Sequence, residues 1–160
     1  EVYDSQSNEI KKRLCYWKRG EKGSAYLTNR CSQAISINDY HKGDAVRFST
    51  NAAGEIDNIL KVYDMKSNAI TGTNSTEYNA ENRYATGKVS EKKGDYVRLD
   101  SSKEIFNLNG TAVYIYHKNR NIITSGTTAD IVSAAASNNA ENVLMWIRYT
   151  DTRLVLIFKD

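Results

Sequence analysis

Apolar and polar residues alternate at every second position along much of this chain, the period of strands with one face in a core and the other in solvent. The string Gly43-Asp44-Ala45-Val46-Arg47-Phe48 shows the pattern and returns as Gly94-Asp95-Tyr96-Val97-Arg98-Leu99. Each copy opens on a Gly-Asp turn and sends an Arg outward between apolar neighbours, so the repeat predicts two related β-units.

In the first half, strand-like runs at 9–17 and 24–28 flank Lys18-Arg19-Gly20-Glu21-Lys22-Gly23, whose charge and glycines suit a hairpin loop. Further strands are expected at 33–37, 45–49 and 56–63, joined by a polar connector at 38–44 and the turn Asn51-Ala52-Ala53-Gly54. Five such strands can close into a small barrel. Between 66 and 83 the composition moves to Asn, Ser, Thr, Ala and Glu, which marks a connector, with 69–72 able to pair as a short edge strand.

The second half restarts at 84–90, turns through Glu91-Lys92-Lys93-Gly94 and runs on at 95–99. Runs at 105–108 and 112–117 flank Asn109-Gly110, the strongest short hairpin signal in the chain, and residues 119–121 turn it again into Ile122 and Ile123. Segment 128–136 is expected to be helical, because Thr127 or Thr128 can cap it, Asp130 suits its first turn and three alanines fill its interior. Runs at 142–149 and 153–158 make a terminal hairpin. The expected fold is all-β, β-dominated with one short helix, in two small antiparallel β-barrel-like units at 1–65 and 84–160. Val46, Ile59, Val97, Val113, Val143 and Ile157 are the expected core.

Composition supports strands: 11 Tyr accompany abundant Val, Ile and Thr, and the absence of Pro leaves turns to Gly, Asn, Asp and Ser. The 22 Lys and Arg are interspersed with 19 acids for a net charge of +3, which focuses no field, so no nucleic-acid partner is expected. No apolar stretch approaches the roughly 20 residues a bilayer requires, so no membrane partner is expected either. The chain opens on Glu1-Val2-Tyr3, without an initiator Met, and reads as a piece of something longer.

Candidate chemistry is sparse. Cys15 and Cys31 are either two separate thiols or one bridge, which would contribute about 3 kcal/mol in an oxidising compartment. Neither has the neighbours a zinc site requires. His41 lies in a polar turn and His117 at a strand end, neither within a recognisable nucleophile or metal motif, so no enzyme, catalytic residue, cofactor or metal is expected. Segment 51–57 has the outline of a calcium loop, but alanines stand where oxygen ligands are needed. Two glycosylation sequons, Asn74-Ser75-Thr76 and Asn109-Gly110-Thr111, fit surface turns. Tyr114 and Tyr116 share one face of a strand, where they either pack or, with Trp17 and Trp146, offer stacking platforms for sugar rings.

The order of Gly43-Asp44-Ala45-Val46-Arg47, Gly54-Glu55-Ile56-Asp57-Asn58-Ile59, Gly87-Lys88-Val89, Asn109-Gly110-Thr111-Ala112-Val113-Tyr114 and the closing Leu154-Val155-Leu156-Ile157 resembles β-modules of surface-layer-homology proteins from Gram-positive anaerobes. The resemblance implies a non-catalytic spacer or assembly module of a secreted cell-surface protein, extracellular at the wall or surface layer. Its partners would be other domains of the same polypeptide. The alternative is a module that binds cell-wall polysaccharide through exposed Tyr and Trp.

Overall fold

The computed structural model describes residues 2–4, 9–18, 21–71, 80–137 and 140–160. Most of them are in strands, as the alternation predicts, and they form two compact units, Glu1–Gly72 and Thr73–Asp160.

In the first unit β1 (Val2–Asp4) pairs with β2 (Glu9–Lys11), and β3 (Arg13–Lys18) pairs with β4 (Glu21–Tyr26) in the expected hairpin, but its ladder runs on to Lys18↔Glu21, so the loop expected over 18–23 is largely strand. The chain then coils into α1 (Asn29–Ala34) and a 3-10 turn (Ile37–Asp39) before the hairpin of β5 (Ala45–Thr50) and β6 (Ile56–Asp64), to which β7 (Ala69–Ile70) adds an edge. The strand expected at 33–37 is therefore not formed. The helix that takes its first residues is held at both ends: the Thr28 hydroxyl accepts from Cys31 N at 3.3 Å, and Lys12 Nζ donates to the carbonyls of Ser32 and Ile35 at 2.6 and 2.7 Å. Nor do five strands share one sheet; the described strands form three small ones. The core gathers Leu27, Cys31 and a fully buried Ile56, whereas the expected Val46 and Ile59 are only half-buried.

The second unit is one open seven-stranded sheet. In chain order its strands are β8 (Arg83–Lys93), β9 (Tyr96–Leu99), β10 (Ile105–Asn107), β11 (Ala112–His117), β12 (Ile122–Gly126), β13 (Asn142–Arg148) and β14 (Asp151–Lys159). In space they run β10-β9-β8-β13-β14-β11-β12. A register shift between Val89 and Glu91 divides β8, whose first half pairs with β13 and whose second half pairs with β9. Val97, Leu99, Phe106 and Leu108 on one side of that bend pack into one core with Val113, Ile115, Val143, Met145, Ile147, Val155 and Ile157 on the other. The four core residues expected in this half are all buried.

Three expectations for this unit are corrected. The sheet is not wholly antiparallel, because β14 runs parallel to β11 over six register pairs, Ala112↔Leu154 to His117↔Lys159. Asn109-Gly110 does turn the chain, with Gly110 at φ 72°, but it closes no hairpin: β10 pairs back to β9 while β11 pairs with β14 and β12. The helix expected at 128–136 shortens to a 3-10 turn at Thr128–Asp130. There Ile131 is drawn into the core, Ala134 N donates to the Val89 carbonyl at 2.7 Å, and Lys92 Nζ takes the carbonyls of Thr128 and Ile131. Alanine propensity, worth some tenths of a kcal/mol per residue, is outweighed by burial of one isoleucine.

The internal repeat also lies in a different register from the one Gly43 and Gly94 suggest. Both glycines do turn at positive φ, but β5 pairs forward with β6 alone, whereas β9 pairs both back with β8 and forward with β10. What the units share is an order: hairpin, Thr-led helical turn, hairpin, as β3-β4-α1-β5-β6 and again as β11-β12-turn-β13-β14. In each, one apolar residue of the turn region, Cys31 or Ile131, is buried. A core-facing pair likewise recurs across each second hairpin, Phe48↔Ile59 and Met145↔Val155.

Candidate functional site

A dense polar cluster lies in the first unit, beside an open depression of about 500 Å3 bordered by Tyr40, His41, Lys61 and Asp64. Asp44 ends the turn into β5 with its side chain only 2% accessible. Its Oδ1 accepts from Met65 N at 2.9 Å, and its Oδ2 accepts from His41 N at 2.8 Å and lies 3.1 Å from Lys61 Nζ. Lys61 on β6 also reaches Asp64 at 3.1 Å, and Asp64 Oδ1 accepts from the amides of Lys66 and Ser67. The Tyr40 ring sits 5.3 Å from the ammonium.

The electrostatics follow from that geometry. Hydrogen bonds from Ser67 N and Lys61 hold the Asp64 carboxyl down at about 2. Burial works against the charge on Lys61, but its bonds to Asp44 and Asp64 outweigh this and keep it above its ordinary value. Burial raises the Tyr40 hydroxyl. A lysine held protonated between two carboxylates is neither base nor nucleophile; here it clasps the start of β5 to the end of β6. His41 Nδ1 stands 3.9 Å from Asp44 Oδ2, outside hydrogen-bond range.

A smaller depression of about 250 Å3 in the second unit is bordered by Asp130, Ile131, Glu141 and Lys159. Burial pushes the Glu141 carboxyl up, while the Asp130 carboxyl is held down because its Oδ2 accepts from Thr127 N at 2.7 Å and from the Thr127 hydroxyl at 3.1 Å. Asp130 is thus spent on capping the turn. His117 lies on the surface of β11, with Nε2 3.0 Å from Thr124 Oγ1 and Nδ1 3.2 Å from an Arg120 guanidinium nitrogen. Among the described residues no group of three His, Cys, Asp or Glu side chains is placed to hold a metal. Cys15 is an exposed free thiol and Cys31 a buried one whose pKa burial raises, so the bridge left open by the sequence is not formed.

The aromatic candidates are separated by their packing. Tyr114 and Tyr116 do share one face of β11, but Tyr116 is buried edge-on to Phe158, with its hydroxyl donating to Asn121 Oδ1 at 3.1 Å. Tyr114 is half-buried opposite Leu156, which pairs in turn with Leu144 on β13. Trp146, two residues on, is half-buried and donates its indole N–H to Asn82 Oδ1 at 2.9 Å. Tyr114 and Trp146 therefore lie on the face of the sheet opposite Val155 and Met145, a face on which Leu144, Tyr116 and Phe158 are also buried. Trp17 belongs to the first unit, where Lys22 Nζ lies 5.1 Å from its ring. Asn109 is exposed in its turn; the sequon at 74–76 falls outside the described residues.

Comparison with known protein families, curated proteins and solved structures finds no match to this chain. Sequence reasoning missed the Asp44-Lys61-Asp64 clasp, the carbonyl-binding lysines Lys12 and Lys92, and the buried Arg83–Glu104 pair. Asp44 had a signal, its place beside a positive-φ glycine, but nothing local marks which lysine reaches it.

Proposed function

We propose that this chain is a non-catalytic structural spacer or assembly module within a larger secreted bacterial cell-surface protein, extracellular at the wall or surface layer. The observation that carries the reading is the repeated order of hairpin, capped turn and hairpin in two successive units. Repetition of a supersecondary unit is how extended scaffolds are built. The way charge is used in both units agrees with it. Lys12 and Lys92 bind backbone carbonyls, Lys61 joins two carboxylates, and Arg83 pairs with Glu104, so these groups support the fold. Secretion and the wall setting rest on the resemblance to surface-layer-homology modules. In this reading the second unit is barrel-like, with β9 and β10 carried over the core by the bend in β8.

The test is binding of the purified chain to an array of wall glycans, with silence expected. A specific observation supports the rival polysaccharide-binding reading: Tyr114 and Trp146 share one sheet face and are each only partly buried. Saturable binding abolished by Tyr114→Ala or Trp146→Ala, with folding intact, would establish that reading in place of the spacer.

A further inference from the structure

A spacer in a surface protein carries tension along its chain, and the two units are built to meet tension differently. This inference rests on the spacer reading. In the second unit the chain comes in at Arg83, at the start of β8, and leaves past Lys159, at the end of β14. Arg83 pairs with Ile147, near the end of β13, while Ile157 pairs with Val143, near its start. The incoming and outgoing strands are thus attached at opposite ends of β13, and a pull on the chain acts along the strands. β14 makes six register pairs with β13 and six with β11, and at residues 154–157 it is held on both sides. Sliding it out loads both ladders at once, with many bonds breaking together.

The first unit has the same strands without the same ladder. Its β3 and β6 correspond in order to β11 and β14, but among the described residues no ladder joins those two, and the parallel link to β6 is the single bridge from Leu27, just past β4, to Ile56, with Thr28 N donating to the Ile56 carbonyl at 2.9 Å. The chain leaves through β7, an edge strand of two pairs with β6, and the β5–β6 hairpin has its incoming and outgoing ends together at Ala45↔Tyr63. Tension there opens pairs one after another from an end.

We propose that the second unit is a tension-bearing clamp whose sliding element is β14, and that the first unit is a yielding element that opens before it. Each unit then has a distinct mechanical role: the first gives length at low load and the second preserves the connection.

The experiment pulls the full chain by tags at its two ends in a force spectrometer at constant loading rate. The expected record has two events, a first release of about 200 Å from the first unit and a later one of about 250 Å from the second. The later event should need at least about twofold more force, since rupture follows the unfolding rate under load. A single event, the reverse order, or equal forces would overturn the proposal. Pulling direction supplies a second test on an unaltered β14. Handles at Asn109→Cys and Thr150→Cys, in a Cys15→Ser, Cys31→Ala background, grip β11 and β14 at the same end, so the parallel ladder opens pair by pair. The force for the second unit should then fall by about half or more; an unchanged force would refute the clamp. Glycan binding with the force hierarchy intact would remove the spacer reading and leave the clamp, whereas loss of the hierarchy on a glycan-silent chain would remove only the clamp.

Discussion

Arg83→Met in the second unit is expected to be strongly destabilising, and the size follows from where Arg83 sits. Its side chain is 6% accessible, and both terminal nitrogens bond the Glu104 carboxylate, one at 2.7 Å. The guanidinium also lies 5.9 Å from the Phe106 ring. The pair ties the first residue of β8 to the segment leading into β10, joining the two sides of the bent sheet. Breaking a buried pair costs about 3–5 kcal/mol, chiefly because the remaining charge is left in a poor solvent. Glu104 keeps 28% of its accessibility, and Met retains the apolar stem of Arg, so the low end, about 3 kcal/mol, applies. In a unit of this size that lowers the melting temperature by roughly 12–24 °C. Arg83→Met/Glu104→Leu removes the stranded charge along with its partner and should recover much of the loss. The chain has 2 Trp, Trp17 in the first unit and Trp146 in the second, so urea unfolding followed by fluorescence in a Trp17→Phe background reports the second unit alone. A loss below about 0.5 kcal/mol for Arg83→Met, or a double variant as unstable as the sum of the singles, would refute the account.

Other outcomes follow from the same structure. Ile56→Ala, at a fully buried position of the small first core, should cost about 2–5 kcal/mol in denaturant unfolding read from Trp17, and Val46→Ala, at a half-buried one, clearly less. Because the folded Asp64 carboxyl sits at about 2, below its unfolded value near 3.9, its contribution is present above about pH 4 and is lost as pH falls toward 2. Asp64→Asn should flatten that acid limb for the first unit, and an unchanged limb would show that Asp64 has no part in it. Thiol labelling of the native chain should modify Cys15 rapidly and Cys31 only on unfolding, since Cys31 is 5% accessible and burial keeps its thiol protonated. Gly87→Val should destabilise the second unit by about 1–3 kcal/mol in the same urea assay, because Gly87 has φ 153° and an added Cβ would strike the Asp100 and Ser101 side chains.

The sequence by itself determined the strands and the places where the chain turns. Alternation and dense apolar runs identified β8, β9, β11, β13 and β14, and Gly43, Gly54, Gly94 and Gly110 all adopt the positive φ that turn composition implies. It determined faces as well: Val113 and Ile115 point into the core and Tyr114 away from it. A two-residue period says which side of a strand is buried and nothing about which strand lies beside it. The partner of β11 was therefore decided by tertiary structure, where a parallel ladder with β14 displaced the hairpin that Asn109-Gly110 invited. The same holds for 33–37, whose strand-like composition was overridden by Lys12 reaching across the unit, and for 128–136, where burial of Ile131 beat the helix propensity of three alanines. The ion pairs were hidden for a related reason. Lys61 and Arg83 look like any other charged residues until the fold brings Asp44 and Glu104 beside them and removes most of the water from Lys61, Asp44 and Arg83.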